Sequence, residues 1–289
     1  AAVKFFDPQT TVLDFPAWDC LPYDRVSPNK EISCLRVSTL TRLVLTPKKV
    51  NLIITTANAI SQRVPPREFV KDSSLILRVG TSFNRDQLIS QLINIGYINS
   101  SAVTQKGEYA VRGSILDIFP PNMDFPTRLD FFGDQLDQAK FFDPETQLSK
   151  TSIHEILLCP ISEFVLNDEH VKYFRNAYRH TFGSNGLTDP LYESVSARRA
   201  YLGYEHWGAM FYEKMDTLLD YCSENTILSL DYGVDQKIQQ RWKMVNQQFD
   251  NRCADLESNS TFKTKYKPLP PASLYIDIKE WSHLTGKRD

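Results

Sequence analysis

The sequence predicts an α/β protein in which a layered α/β body is interrupted by an α+β insert of antiparallel strands packed on one helix. Three observations carry this. Residues 1–73 run strand, helix, strand; residues 74–160 change to one amphipathic helix followed by short strands with turn pairs between them; residues 161–289 return to the α/β alternation. The expected units are therefore 1–73, 74–160 and 161–289.

In the first unit, Val12–Phe15 and the β-branched run 50–56 read as strands. Between them, 31–43 carries apolar residues at helical spacing and reads as a helix. Arg63-Val64-Pro65-Pro66-Arg67 breaks regular structure, because proline cannot donate to a ladder and restricts the residue before it. In the second unit, Thr81-Ser82-Phe83-Asn84 offers helix caps. Leu88, Ile89, Leu92, Ile93 and Ile95 then mark the apolar face of a helix over 85–95, stopped by Gly96. Strands follow over 108–119, 127–132, 135–142 and 152–159, with turns at Pro120-Pro121-Asn122, Gly133-Asp134 and Asp143-Pro144-Glu145. The Gly133-Asp134 pair suits a two-residue hairpin, since glycine takes the positive φ of a type II′ turn. In the third unit, helices are expected over 169–180 and 234–249, strands over 226–230 and 272–278, and a mobile connection over 251–267. The first strand looks like the interior of a domain, so the chain reads as part of a longer protein.

With 42% hydrophobic and 24% charged residues, the composition is that of a globular protein. Thirty-three basic against 35 acidic side chains leave no global field for a phosphate backbone or an anionic membrane. The insert is mildly acidic, with 7 basic against 10 acidic residues over 74–160, a poor surface for non-specific duplex binding. No apolar run approaches a membrane span and the first residues lack a signal peptide's core, so a cytoplasmic location is expected. Five scattered cysteines without a C-x-x-C pair argue against a disulfide framework and a zinc site.

Active-site motifs are missing. The phosphate loop G-x-x-x-x-G-K-[ST] does not occur; its nearest fragment, Gly286-Lys287, is followed by Arg288 and has Trp281 at the first glycine position. H-E-x-x-H and G-x-S-x-G are absent, and the five histidines lack ligand spacing. Asp134 and Asp137 flank a hairpin as solvated turn residues. The reading is a chain without a complete active site, without a metal and without a cofactor of its own.

What remains is a constellation around 107–134. A period of two places Leu129 and Phe131 on one face of their strand and Arg128, Asp130 and Phe132 on the other. An outward phenylalanine beside an arginine, joined by Arg112 from the neighbouring strand, is hot-spot material: rigid apolar area next to a forked donor. Spacing equally allows Arg128 to pair with Asp130 or Glu108 while Phe132 tucks under the turn.

Several runs resemble the amino-terminal region of bacterial transcription-repair coupling factors. These are Trp18–Asp24 with Ser27-Pro28, Gly107–Gly113 with Asp117–Pro120, Arg128–Asp134, Phe142–Gln147, Tyr204–Trp207 and Phe211–Glu213, in order along nearly the whole chain. The resemblance implies a module similar to the excinuclease subunit UvrB: a split, degenerate RecA-like (P-loop NTPase-like) domain around an inserted domain that docks on UvrA. It places the UvrA contacts on Arg112, Arg128 and Phe132, with Asp130 and Asp134 in the same motif. Gln135 departs from the acidic residue often found there, and the tyrosine-rich hairpin with which UvrB grips damaged DNA is missing. It further implies that RNA polymerase, double-stranded DNA, ATP and Mg belong to translocase domains outside this chain. The rival reading is an ATP- and DNA-binding fragment of a helicase-like repair enzyme such as UvrB. A third is a regulatory brake whose partner surface is covered by the rest of its parent protein.

Overall fold

A computed structural model describes residues 2–183, 188–257 and 265–286. In chain order the elements are α1 (Ala2–Phe6), β1 (Val12–Phe15), α2 (Lys30–Leu45), β2 (Leu52–Thr55), α3 (Ala57–Ile60), α4 (Arg67–Asp72), β3 (Leu75–Arg78), α5 (Arg85–Asn94), β4 (Ile98–Asn99), β5 (Glu108–Arg112) and β6 (Ile115–Ile118). There follow β7 (Thr127–Phe132), β8 (Gln135–Phe142), β9 (Ser149–Ser152), β10 (Glu155–Leu158), α6 (Asp168–Phe182), α7 (Pro190–Ser196), α8 (Val234–Glu257) and α9 (Ile278–Gly286). The result is a mixed α/β protein with, among the described residues, two two-stranded sheets and one six-stranded sheet. Two compact units form, one from Ala1–Ile32, Lys48–Arg67 and Asp168–Asp289, the other from Ser33–Pro47 and Glu68–Asn167. Among the described residues no helix is long and apolar enough to cross a membrane.

In the first unit β1 and β2 pair in parallel, Val12 opposite Leu52 and Phe15 opposite Thr55. The helix expected over 169–180 is α6, which buries Val171, Phe174 and Tyr178. The strand expected over 226–230 is absent: the segment meets no partner strand and Ile227 is 90% exposed, so β propensity alone does not make a strand. The strand expected over 272–278 is also absent. A 3-10 turn occupies Pro271–Ser273, and Asp277 accepts the Glu280 amide at 2.8 Å to cap α9. Of the connection expected over 251–267, residues through Glu257 continue α8, and 258–264 lie outside the described residues.

His206 lies in this unit, 2% exposed, edge-on to Trp18 with ring centroids 5.6 Å apart and with Nε2 3.3 Å from the Val26 carbonyl oxygen. Burial pushes its pKa down to about 4. Between roughly pH 6.5 and 4 the unfolded imidazole binds a proton that the folded one refuses, so stability present above that window is lost as pH falls through it. Between pH 7 and about 4.5 the wild type is expected to lose about 2 kcal/mol more than His206→Gln in urea titrations. Identical losses would contradict this account of the buried ring.

In the second unit α5 lies on a six-stranded sheet of order β4-β5-β6-β7-β8-β9, antiparallel except for the β4–β5 pair. Asn84 caps α5 by accepting the Gln87 amide at 2.9 Å. Gly96 ends the helix at φ +95°, where an added Cβ would come within 2.7 Å of Ile161. Leu88, Leu92 and Ile95 bury against Tyr109, Leu116, Ile118, Leu129, Phe131, Leu136 and Ala139, whereas Ile93, expected on the same face, is exposed. The single strand expected over 108–119 is a hairpin, because Gly113 at φ +61° reverses the chain between β5 and β6. The strand expected over 152–159 is two pieces in different sheets, with β9 closing the large sheet and β10 pairing with β3, a strand the sequence reading did not anticipate. Helix α2 is as expected, but rotated by one position: Leu35 is exposed and Arg36 buried, because Arg36 forks onto Glu163 at 2.8 and 2.9 Å. Among the described residues the cysteines form no disulfide: Cys34 and Cys159 are buried, and Cys20, Cys222 and Cys253 are half-buried.

Candidate partner-docking face

Antiparallel partners share a face, which sorts the residues of the large sheet. One face meets α5. The other carries two rows: Arg112, Ile115, Asp130 and Gln138 lie opposite one another, as do Ala110, Asp117, Arg128 and Lys140. The rows are about 7 Å apart, and Arg112 and Asp130 are about 10 Å apart across two strand spacings.

One end of this outer face is covered. Val103, Ala110, Phe119 and Phe142 form a small second core there. Arg128 lies over the Phe142 ring, 4.7 Å from its centroid, and its guanidinium forks onto Asp117 at 2.8 and 2.9 Å. A third donor reaches the Gln147 carbonyl at 3.2 Å. The Asp117 side chain is 1% exposed and that of Arg128 21%, so this pair is built into the sheet. The hydrogen bonds that its guanidinium donates to the Asp117 carboxylate hold the Arg128 pKa above its ordinary value. The loop below is set by Asp143, whose carboxylate is lowered to about 2 by the Lys150 ammonium and the amides of Thr146 and Glu145. Gln147 adopts φ +61° there and donates to Pro144 and Val103.

The other end is open. Phe132 is 84% exposed, so it does not tuck under its turn. The bulge between Asp130 and Phe131 leaves Asp137 as the extra residue and bends the end of the β7–β8 hairpin. Arg112 is exposed and donates to the Ser101 carbonyl at 2.7 Å, and Asp130 accepts from Ser114 Oγ at 2.9 Å. Asp134 is exposed in the turn, and its backbone oxygen accepts the Phe83 amide at 2.6 Å, tying the hairpin to the cap of α5. Between the Gly113 and Gly133 turns runs an open groove lined by Arg85, Asp86, Ser114 and Asp134. Arg85 donates to the Gly113 carbonyl and braces the turn that carries Arg112.

The structure thus gathers Arg112, Asp130, Phe132 and Asp134 at the open end and sets Arg128 apart at the covered end. Its partner is neither Asp130 nor Glu108 but Asp117, a carboxylate the sequence reading left without a role. The available signal was parity, which turns Asp117 away from its apolar neighbours Leu116 and Ile118. Arg128→Ala is expected to cost about 1–3 kcal/mol of stability, because it strands the Asp117 carboxylate, and Arg112→Ala less than about 0.5 kcal/mol. Urea titrations of both variants check this, and equal losses would contradict it.

Residues 75–164, which contain this face, match the UvrB interaction domain family. The sheet, its helix and the candidate face thus lie inside the stretch that is similar to that family. The chain as a whole is similar to a segment of transcription-repair-coupling factors. It is 32% identical to the one from Escherichia coli over 271 residues, covering 93% of this chain and 23% of that protein. It is 34% identical to the one from Rickettsia typhi over 291 residues (99% and 25%) and 35% identical to the one from Haemophilus influenzae over 270 residues (92% and 22%). The chain thus spans about a quarter of the length of the curated relatives it matches.

Proposed function

We propose that this chain is the UvrA-recruiting module of a transcription-repair-coupling factor and acts in transcription-coupled nucleotide excision repair in the cytoplasm. The observation that carries the reading is Phe132: a phenylalanine 84% exposed at a hairpin end, at the same open end of the sheet as the exposed Arg112, within the stretch similar to the UvrB interaction domain family. Leaving such a ring in water is unfavourable in the free protein and favourable once a partner covers it. Phe132 fills an apolar recess of UvrA, Arg112 forks onto a UvrA carboxylate, and Asp130 and Asp134 supply the polar rim. Arg128 holds the sheet beneath and reaches UvrA with its outer edge only.

The residues on either side of the 74–160 insert, 1–73 and 161–289, form a split, degenerate RecA-like domain, of which the parallel β1–β2 pair is a remnant. The module works by binding and needs no cofactor. Displacement of stalled RNA polymerase on double-stranded DNA, with ATP and Mg, belongs to translocase domains elsewhere in the parent protein. Co-migration on a sizing column tests the reading: the chain and UvrA, at about 10 µM each, should elute together if the Kd is micromolar or tighter. Separate elution of the two would overturn it.

A further inference from the structure

Away from the docking face, helices α6 and α7 bring two guanidinium groups onto one phenol oxygen. Arg179 donates from Nε to Tyr192 Oη at 3.1 Å, and Arg175 donates to the same oxygen. Tyr192 is buried, and burial raises its pKa, but the two guanidinium groups outweigh this and leave it below the ordinary phenol value. Lys172 continues the row, since residues 172, 175 and 179 share one face of α6, and all three are exposed. One turn along α7 from Tyr192, the Ser196 hydroxyl is buried with no hydrogen-bond partner.

The neighbouring carboxylates do not neutralise this row. Among the described residues Asp168 pairs with Arg198, and Asp189 pairs with Lys267 at 3.3 Å and accepts from Tyr178. Glu169 and Glu193 are exposed, and neither forms an ion pair with Arg175 or Arg179 among the described residues. Arg179 spends only its Nε–H on the phenol oxygen, and both arginines are exposed, so further guanidinium donors remain for a ligand. The row runs seven steps along the helix, about 10 Å at 1.5 Å per residue, close to the rise of three nucleotide steps on one strand of a duplex.

We propose that Lys172, Arg175 and Arg179, braced by Tyr192, form a binding site for the phosphodiester backbone of nucleic acid. A row of uncompensated cations at this pitch suits a strand of regularly spaced phosphates better than the irregular carboxylates of a protein. Contacts of this type position a protein on nucleic acid without reading its sequence. This site is independent of the UvrA reading and does not rest on it.

The test is fluorescence anisotropy of a fluorescein-labelled DNA duplex two helical turns long, titrated with the whole chain at about 50 to 200 mM salt. The wild type should bind with a Kd of about 100 µM or tighter at the low-salt end. Arg175→Ala/Arg179→Ala should weaken binding at least about tenfold and lower the salt slope by about two, with the circular dichroism spectrum unchanged. Lys48→Ala/Lys49→Ala, which removes the same charge elsewhere, should leave most of the affinity. The proposal is overturned if the wild type does not bind, if both pairs lose affinity equally, or if a labelled polyglutamate of equal charge binds more tightly than the duplex.

Discussion

Replacing Glu163 with alanine is expected to destabilise the chain by roughly 3–5 kcal/mol, the range for breaking a buried ion pair from one side. Arg36 and Glu163 expose 0% and 3% of their side chains, and the guanidinium meets the carboxylate through two parallel hydrogen bonds. Without the carboxylate, a desolvated positive charge stays behind in the interior beside α2. Replacing both partners with apolar residues of similar volume, Arg36→Met with Glu163→Leu, should by contrast remain within about 1 kcal/mol of the wild type, because the desolvation cost disappears together with the attraction. Urea unfolding of the three proteins separates these cases. A loss below about 1 kcal/mol for Glu163→Ala would show that the charge finds water or another acceptor.

Phe132→Ala is expected to weaken UvrA binding by about 2 kcal/mol, about thirtyfold, with stability unchanged. The two parts of this expectation have separate causes. An exposed ring makes few contacts in the free protein, so its removal scarcely touches folding. At the centre of a docked surface the same ring would bury much of its area. Calorimetric titration reads the affinity and urea unfolding reads the stability. A variant that binds as tightly as the wild type would remove Phe132 from the interface.

How far the sequence reveals this structure depends on whether an element is specified locally. The α5 helix was legible because its cap, apolar face and terminal glycine lie within a dozen residues, and the Gly133-Asp134 hairpin because a positive φ demands glycine. The parity of β7 placed Leu129, Phe131 and Phe132 correctly for the same reason: alternation is a property of the strand alone. Elements that need a distant partner were not legible. The run 226–230 has strand composition but no ladder to join, and β3 exists because β10 pairs with it from eighty residues away. Arg128 falls between these cases. Its outward face followed from spacing, but its engagement by Asp117 depends on the β6–β7 register, which the eight-residue connection 119–126 does not fix. The Gly113-Ser114 turn was the signal passed over, and reading 108–119 as one strand hid the hairpin that brings Arg112 to the open end.

The most direct measurement is amide hydrogen exchange of the chain with and without UvrA. Protection is expected at the two hairpin tips, around Arg112–Ser114 and Phe132–Gln135, with little change in the loop at Asp143–Leu148 that covers the other end of the sheet. Protection confined to that loop, or none on the sheet at all, would contradict docking through the open end.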